Sequence, residues 1–327
     1  HIACLALGLG ENDYLWTSPI TFVASANCAL YCGAKVDFVD IDPITYNMSP
    51  KALEEKLIQA KKNNCLPKVV IPVHLCGQSC EMEEIYKLSK KYGFSIIEDA
   101  SHAIGGKYKG RPIGNCEFSD ITVFSFHPVK IVTTAEGGAA TTNNKDIAAR
   151  LELLRSHGIT RDSSFMINES HGGWYYEQID LGFNYRMTEM QAALGVSQMN
   201  RLHDFVAKRN KLASRYDELL KDLPLVTPFQ NADSYSGRHL YVIRLDLSVI
   251  SLSHKDVFEQ LRESNIGVNL HYIPVHIQPY YKELGFEEGS FPEAEDYYKN
   301  AISIPLFHCM TEQQQSEVVN MLSLILK

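Results

Sequence analysis

Two residues in the first half of the chain have types and positions that could do chemistry together. Asp99, in Glu98-Asp99-Ala100-Ser101-His102, follows the apolar run Ser95 to Ile97 and so stands at the carboxyl end of a predicted strand. Lys130 lies five residues beyond Ser125, in a proline-containing loop after a second predicted strand, Ile121 to Phe124, and before Glu136-Gly137-Gly138. Each alone has a plain reading. An acid after a strand can cap a helix, bind a ribose or ligate a metal; a loop lysine is commonly a solvated charge; a glycine pair marks a turn. Together they make a set that pyridoxal phosphate (PLP) chemistry requires. That cofactor needs a lysine amine to form a Schiff base and an acid facing its pyridine nitrogen, so that the protonated ring accepts electrons from a carbanion. A hydroxyl such as Ser125 is a natural phosphate ligand beside them.

The elements that must position these groups alternate. Strands are predicted at Leu15 to Thr17, Val36 to Val39 and Val69 to Val73, besides the two above. Helices are predicted at Val23 to Tyr31, closed by Gly33, from Ser49-Pro50 with Leu53, Leu57 and Ile58 buried, and around Met82, Ile85 and Leu88, closed by Gly93. Apolar strands alternating with amphipathic helices imply a mostly parallel sheet covered on both faces. From Thr188, which has capping-box spacing to Gln191, one long helix is expected through Ala192, Val196, Met199, Leu202 and Val206, with an outer limit at Leu220. After Pro224 strands are expected at His239 to Leu245 and Gly267 to Tyr272, with a helix at Lys255 to Ser264 between them. The division is a large domain, 1–208, and a smaller α+β domain, 209–327.

Composition narrows the function. The chain has 327 residues, 45% hydrophobic and 21% charged, and a formal net charge of −8. That acidity offers no field for a nucleic-acid backbone, and no apolar run is long enough to span a bilayer. The eight cysteines are scattered, which fits reduced thiols in a cytoplasm. Cys76 and Cys80, near His74, lack the paired spacing of a zinc site, so no metal is expected. A nicotinamide site would need a G-x-G-x-x-G turn after a strand, and none is present. Since residue 1 is His and Ile2 to Leu9 reads as mid-helix, the chain is expected to begin inside a domain, with an N-terminal segment missing.

Several motifs in order resemble one family. Pro19-Ile20-Thr21-Phe22-Val23-Ala24-Ser25-Ala26-Asn27, Val39-Asp40-Ile41-Asp42, Glu98-Asp99-Ala100-Ser101-His102-Ala103, Ser125-Phe126-His127-x-x-Lys130, Glu136-Gly137-Gly138, Leu181-Gly182-Phe183-Asn184-Tyr185-Arg186-Met187 and Leu270-His271-Tyr272-x-Pro274 are similar in type and spacing to the DegT/DnrJ/EryC1/StrS sugar-nucleotide aminotransferases. The resemblance spans essentially the whole chain. It implies the aspartate-aminotransferase fold (PLP fold type I) and a homodimer with shared active sites. It further implies that Lys130 holds PLP, Asp99 pairs with the pyridine nitrogen, Phe22 lies against the ring, His102 stands near its 3-oxygen and Ser125 binds the phosphate. Asn184 would reach the partner's cofactor phosphate, and His271, Tyr272 and Arg186, which is next but one to Asn184, would contact the substrate. The family's own phosphate-binding segment would lie upstream of His1.

The implied reaction moves an amino group from glutamate to the 4-keto carbon of a nucleotide-linked 6-deoxyhexose. Ser-Phe-His-Pro-Val-Lys followed by Thr-Thr-Ala-Glu-Gly-Gly resembles most the branch making UDP-4-amino-4,6-dideoxy-N-acetyl-β-L-altrosamine, on the route to pseudaminic acid. The alternatives are the UDP-4-amino-arabinose and GDP-perosamine branches, or a non-catalytic sensor on the same fold. Dehydratases of the family carry histidine at the lysine position, and Lys130 argues against that assignment.

Overall fold

Short apolar runs form the strands of a central sheet in the computed structural model, which describes residues 1–326. Along the chain come α1 (Ile2–Ala6), β1 (Tyr14–Thr17), α2 (Ala24–Tyr31), β2 (Lys35–Phe38), α3 (Pro50–Lys62), β3 (Val69–Ile71), α4 (Met82–Tyr92), β4 (Ser95–Asp99), β5 (Lys107–Tyr108), β6 (Arg111–Pro112), β7 (Ile121–Ser125) and β8 (Gly138–Thr141). Six of these strands pair in the order β2-β1-β3-β4-β7-β8. All neighbours are parallel except β7 and β8. Every residue of β3 is buried, as a strand covered on both faces must be. The expected mostly parallel sheet is therefore present.

Local chemistry sets the helix ends. The Ser49 side chain accepts the Ala52 N–H and Pro50 fills the first turn of α3. Gly93 closes α4 in the left-handed region, at φ 83°. In α3, Leu53 and Leu57 are buried but Ile58 is exposed, contrary to expectation. One residue turns a helix by about 100°, which carries Ile58 off the stripe that Leu53 and Leu57 share.

Beyond the sheet come α5 (Lys145–Arg155), a hairpin of β9 (Ile159–Thr160) and β10 (Glu177–Gln178), then α6 (Glu189–Met199) and α7 (Leu202–Leu220). The expected single helix from Thr188 is thus two. The capping box of Thr188 and Gln191 forms, but the ladder stops at Met199. Asn200 and Arg201 close a tight turn, with Arg201 N–H bonded to the Gln198 carbonyl at 3.0 Å. The break lets Leu202, Phe205 and Val206 turn inward, while no residue of α6 is buried.

The last third holds β11 (Leu225–Val226), β12 (Ser234–Tyr235), β13 (Tyr241–Leu245), α8 (His254–Glu263), α9 (Pro279–Glu283), α10 (Pro292–Asn300), β14 (Ala301–Ile304) and α11 (Glu312–Ile325). A small antiparallel sheet has the order β11-β13-β14. Gly267 to Tyr272 is not a strand. Asn269 forms one bridge, to Ser303 at the free edge of β14, and the chain then turns away before Pro274. Two apolar cores share α7. Phe205 and Val206 pack with Ala100, Ala103 and Phe124; Leu212, Ala213, Tyr216 and Leu220 pack with Tyr241, Ile243 and Ile302. We propose that the two units, 1–208 and 209–327, meet inside this helix. Val275 and Tyr281 return to the core under the large sheet.

The contrast within α3 is measurable. Leu57→Ala should cost about 2–5 kcal/mol of unfolding free energy by urea titration, and Ile58→Ala less than about 0.5 kcal/mol.

Candidate active site

The carboxyl ends of β3, β4 and β7 finish at one edge, and the site starts there. Asp99, last in β4, is held on both sides by main chain. Its N–H donates to the Pro72 carbonyl at 3.0 Å, its own carbonyl accepts the His74 N–H at 3.0 Å, and the next residue, Ala100, donates to Val123 at 2.9 Å. The side chain is then aimed by two donors: Ser25 Oγ at 2.6 Å to Oδ2 and the Ser101 N–H at 3.0 Å to Oδ1. Ser25 is itself hydroxyl-bonded to Thr21 at 3.0 Å. The carboxylate stays partly accessible.

Its neighbour along the strand points the other way, as successive strand residues must. Glu98 is buried and accepts from His74 Nε2 at 2.8 Å and from the hydroxyls of Ser119 and Thr122. Burial pushes this carboxyl up, but those hydrogen bonds outweigh it and hold it below its ordinary value. His74 also takes the Cys80 N–H on Nδ1, and the Cys80 thiol donates to the Val73 carbonyl at 3.2 Å. Burial pushes the Cys76 thiol up to about 12. Among the described residues no three His, Cys, Asp or Glu side chains converge on a metal position.

Lys130 lies in the loop that leaves β7. The loop is pinned at its neck by Phe126 N–H to Gly137 O (2.8 Å) and Thr134 N–H to Phe126 O (3.0 Å). Ile131 and Val132, the next two residues, are buried anchors. The amine is half-buried. Burial lowers its pKa and the charge of Asp99 partly opposes this, so the two expected residues act on one another. Ser125, last in β7, is half-buried and accepts the His127 N–H at 3.4 Å. Phe22 is 61% exposed, not core, with its ring 6.3 Å from that of Tyr272.

Three imidazoles lie near enough to this amine to feel its charge. His102 Nδ1 accepts the Cys76 N–H at 3.3 Å, which leaves its proton on Nε2, 3.1 Å from the Tyr272 hydroxyl. His271 is bonded through Nδ1 to Ser303 Oγ at 2.8 Å. His239 packs its ring 4.5 Å from that of His102. Burial first, then neighbouring positive charge including that of Lys130, pushes His102 and His239 well below the ordinary histidine range. His102, Tyr272 and His271 thus gather round Lys130 and Asp99. His239 and Ser25 were missed as site residues. Ser25 lies in the first turn of α2 and Thr21 just ahead of that helix, so helical spacing would not have paired them; His239 carries no sequence signal either.

Asn184 and Arg186 do not join this group. They lie together on an exposed segment, Arg186 Nε donating to Asn184 Oδ1 at 3.2 Å, and no hydrogen bond links either to Lys130, Asp99 or His102. Two surface cavities of about 580 and 640 Å³ lie elsewhere, one lined by Arg150, Arg155 and Phe165, the other by Tyr31, Gln278 and Tyr280.

A family model described as the DegT/DnrJ/EryC1/StrS aminotransferase family matches residues 1–323. A UDP-4-amino-4,6-dideoxy-N-acetyl-β-L-altrosamine transaminase of Campylobacter jejuni is 39% identical over 93% of this chain and 77% of its own length. A UDP-4-amino-4-deoxy-L-arabinose–oxoglutarate aminotransferase of Shewanella sediminis is 36% identical over 99% of this chain and 82% of its own. Among solved structures, PseC of Helicobacter pylori, an aminotransferase of pseudoaminic acid biosynthesis, superposes with a TM-score of 0.87 at 30% identity, covering 99% of this chain and 85% of that one. A Streptococcus pneumoniae protein described as a sugar aminotransferase, in its PLP form, does so with 0.85 at 26% identity, covering 99% and 84%.

The low pKa of His271 has a consequence for stability. Burial and then the charge of Lys130 hold it at about 4, below its ordinary 6.5. Between those values the unfolded chain takes up a proton that the folded chain refuses, so acidification favours unfolding. The urea midpoint should fall as pH drops from 6.5 to about 4. In His271→Gln that fall should be shallower; an unchanged slope would exclude His271 as its source.

Proposed function

The chain belongs to the DegT/DnrJ/EryC1/StrS aminotransferase family, a family of PLP-dependent sugar aminotransferases, dehydratase members apart, and from that premise we propose that it moves an amino group from glutamate to the 4-keto carbon of UDP-4-keto-6-deoxy-N-acetyl-β-L-altrosamine. The observation that carries the catalytic reading is the pairing of a half-buried amine of lowered pKa, Lys130, with a carboxylate that Ser25 and Ser101 aim. The choice of sugar is supported by the Campylobacter jejuni relative. The Shewanella sediminis relative favours a second reading, a UDP-4-amino-arabinose type of acceptor. A non-catalytic sensor has no use for a lysine amine held toward its neutral form.

The donor set fits PLP: an amine for its carbonyl, an acid for its ring nitrogen, a hydroxyl for its phosphate and an exposed aromatic, Phe22, for its face. When bound, the cofactor supplies a carbonyl that receives the amino group and a ring that tolerates carbanion charge. Lys130 would hold it, with Asp99, His102, Ser125 and Phe22 around it. Burial raises the neutral fraction of the Lys130 amine, so that the amine can take a proton from the α-carbon of the amino donor and return it. Asp99, fixed by neutral donors, would keep positive charge on the ring nitrogen. His271 and Tyr272 would face the sugar nucleotide.

Asn184 and Arg186 are exposed and make no hydrogen bond to this group, which suits a role in a second subunit. The whole of α6 supports the same reading. Met190 and Leu194 are exposed on one side of this short helix and Val196 and Met199 on the other, apolar surface of the kind that marks an interface. We take the enzyme as a homodimer with shared sites. Its eight free cysteines suit a cytoplasmic setting.

Two outcomes are expected. The purified protein should show the visible absorption of bound PLP, lose it on adding glutamate and regain it on adding the keto-sugar; Lys130→Ala should lower turnover by at least about 10³-fold. Absence of the band would sink the assignment. Val196→Asp should shift sedimentation from dimer toward monomer, with activity falling in parallel.

A further inference from the structure

His239 is a residue the chemistry above does not use, and its setting is costly. It lies just before β13, with its N–H on the Cys76 carbonyl at 2.9 Å and its own carbonyl on Arg209 Nη1 at 3.2 Å. Cys76 gauges both rings, since its N–H holds His102 and its carbonyl holds His239. Gly77 tightens the contact: at φ 107° a Cβ there would stand 2.7 Å from Arg238 N and from the His102 carbonyl. The His239 ring is therefore fixed against His102, at 4.5 Å and 47°.

No hydrogen bond joins the two rings. Nδ1 of His239 is sealed from solvent with no partner, whereas Nε2 is not sealed. A phenylalanine would fill this space without burying an unsatisfied nitrogen. The retained imidazole must gain something through Nε2. A neutral ring carries one proton, and a proton on Nδ1 would be an orphaned buried donor, the rarer defect. The proton thus sits on Nε2, the nitrogen left open.

We propose that His239 donates this hydrogen bond from Nε2 to a neutral oxygen, keto or hydroxyl, of the sugar acceptor, and so is a specificity-determining residue of the second half of the reaction. The inference rests on the transaminase reading above. Burial withholds a second proton from the ring, and the charge of Lys130 and then that of Arg209 act in the same sense. A carboxylate such as that of the amino donor is better met by a charged, bidentate group, whereas an uncharged donor matches an uncharged oxygen. Tyr272, hydrogen-bonded to His102 on another side, and His271 complete a wall of neutral donors suited to a polyhydroxylated ligand.

The test separates the two half-reactions of the holoenzyme by its visible spectrum. In His239→Phe, loss of the band on glutamate should stay within about twofold of wild type. Its return on UDP-4-keto-6-deoxy-N-acetyl-β-L-altrosamine, or on UDP-4-keto-arabinose, should need about tenfold more sugar. His239→Gln, which keeps a donor, should recover most of that. Equal damage to both halves, or to neither, overturns the proposal in favour of a packing role. ¹⁵N-histidine NMR of the resting holoenzyme at pH 7.5, assigned with His239→Gln, decides independently of the sugar accepted. A neutral ring protonated on Nε2 is expected, and an imidazolium or an Nδ1 proton overturns the proposal. A wild type with no visible band fails earlier, at the assignment of Lys130.

Discussion

Parallel strands that share an edge must finish together, and the register of β3, β4 and β7 is the constraint on which the site depends. Asp99 spends both of its main-chain groups on the extension of β3, and Ala100 spends its N–H on β7. The carboxylate has no freedom to shift along the sheet. The same strand geometry separates two acids that are adjacent in sequence. Glu98 faces inward and is consumed by His74, Ser119 and Thr122, while Asp99 faces the edge and is only partly buried. One acid secures the strand and its neighbour is left for chemistry. A slip of one residue would exchange them.

The second link joins the two units. The turn at Cys76 and Gly77 belongs to the large sheet, yet its main chain bonds to Gly237 and His239. Arg209, buried in the shared helix α7, gives one guanidinium nitrogen to the carbonyls of Arg238, His239 and Leu306. Each of these bonds ends on a main-chain group, so together they hold backbone positions whatever the exposed side chains do. Through them Tyr272 and His271, which follow the C-terminal core, stand beside His102. The smaller unit is built into the site and does not merely cover it.

Much of this was legible in the sequence, because strand ends and helix caps are local. Asp99, Ser125 and Lys130 follow apolar runs short enough to be strands, and Thr188 with Gln191 announces a helix start that forms as expected. What was not legible is set by distant partners. Ile58 looked buried because apolar type was counted ahead of helical phase. One helix was expected through Asn200 because its apolar spacing continues unbroken, although the two halves turn those residues to different surroundings. The segment Gly267 to Tyr272 has strand composition, but β14 lies between it and β13, so only Asn269 pairs. His239 was invisible as a site residue, since its meaning comes from a ring more than a hundred positions earlier.

The electrostatics of the site follow from burial. An amine that must give and take a proton needs its pKa brought down toward neutrality, and either a neighbouring cation or removal from water can do this. Here removal from water dominates for Lys130, with Asp99 working against it. Burial also keeps His102, His239 and His271 in their neutral forms. The charges around the amine therefore reduce to one pair, and the carboxylate of that pair is oriented by uncharged donors. Such a pair strengthens as water leaves, because screening falls with the local dielectric. In a single chain Phe22 and one side of Lys130 still meet solvent. A second subunit that laid its α6 helix and its Asn184–Arg186 segment near this edge would finish the desolvation as well as the ligand contacts. On that reading, association and proton transfer are not separate properties of the enzyme, because the surface that makes the dimer also sets the state of the amine.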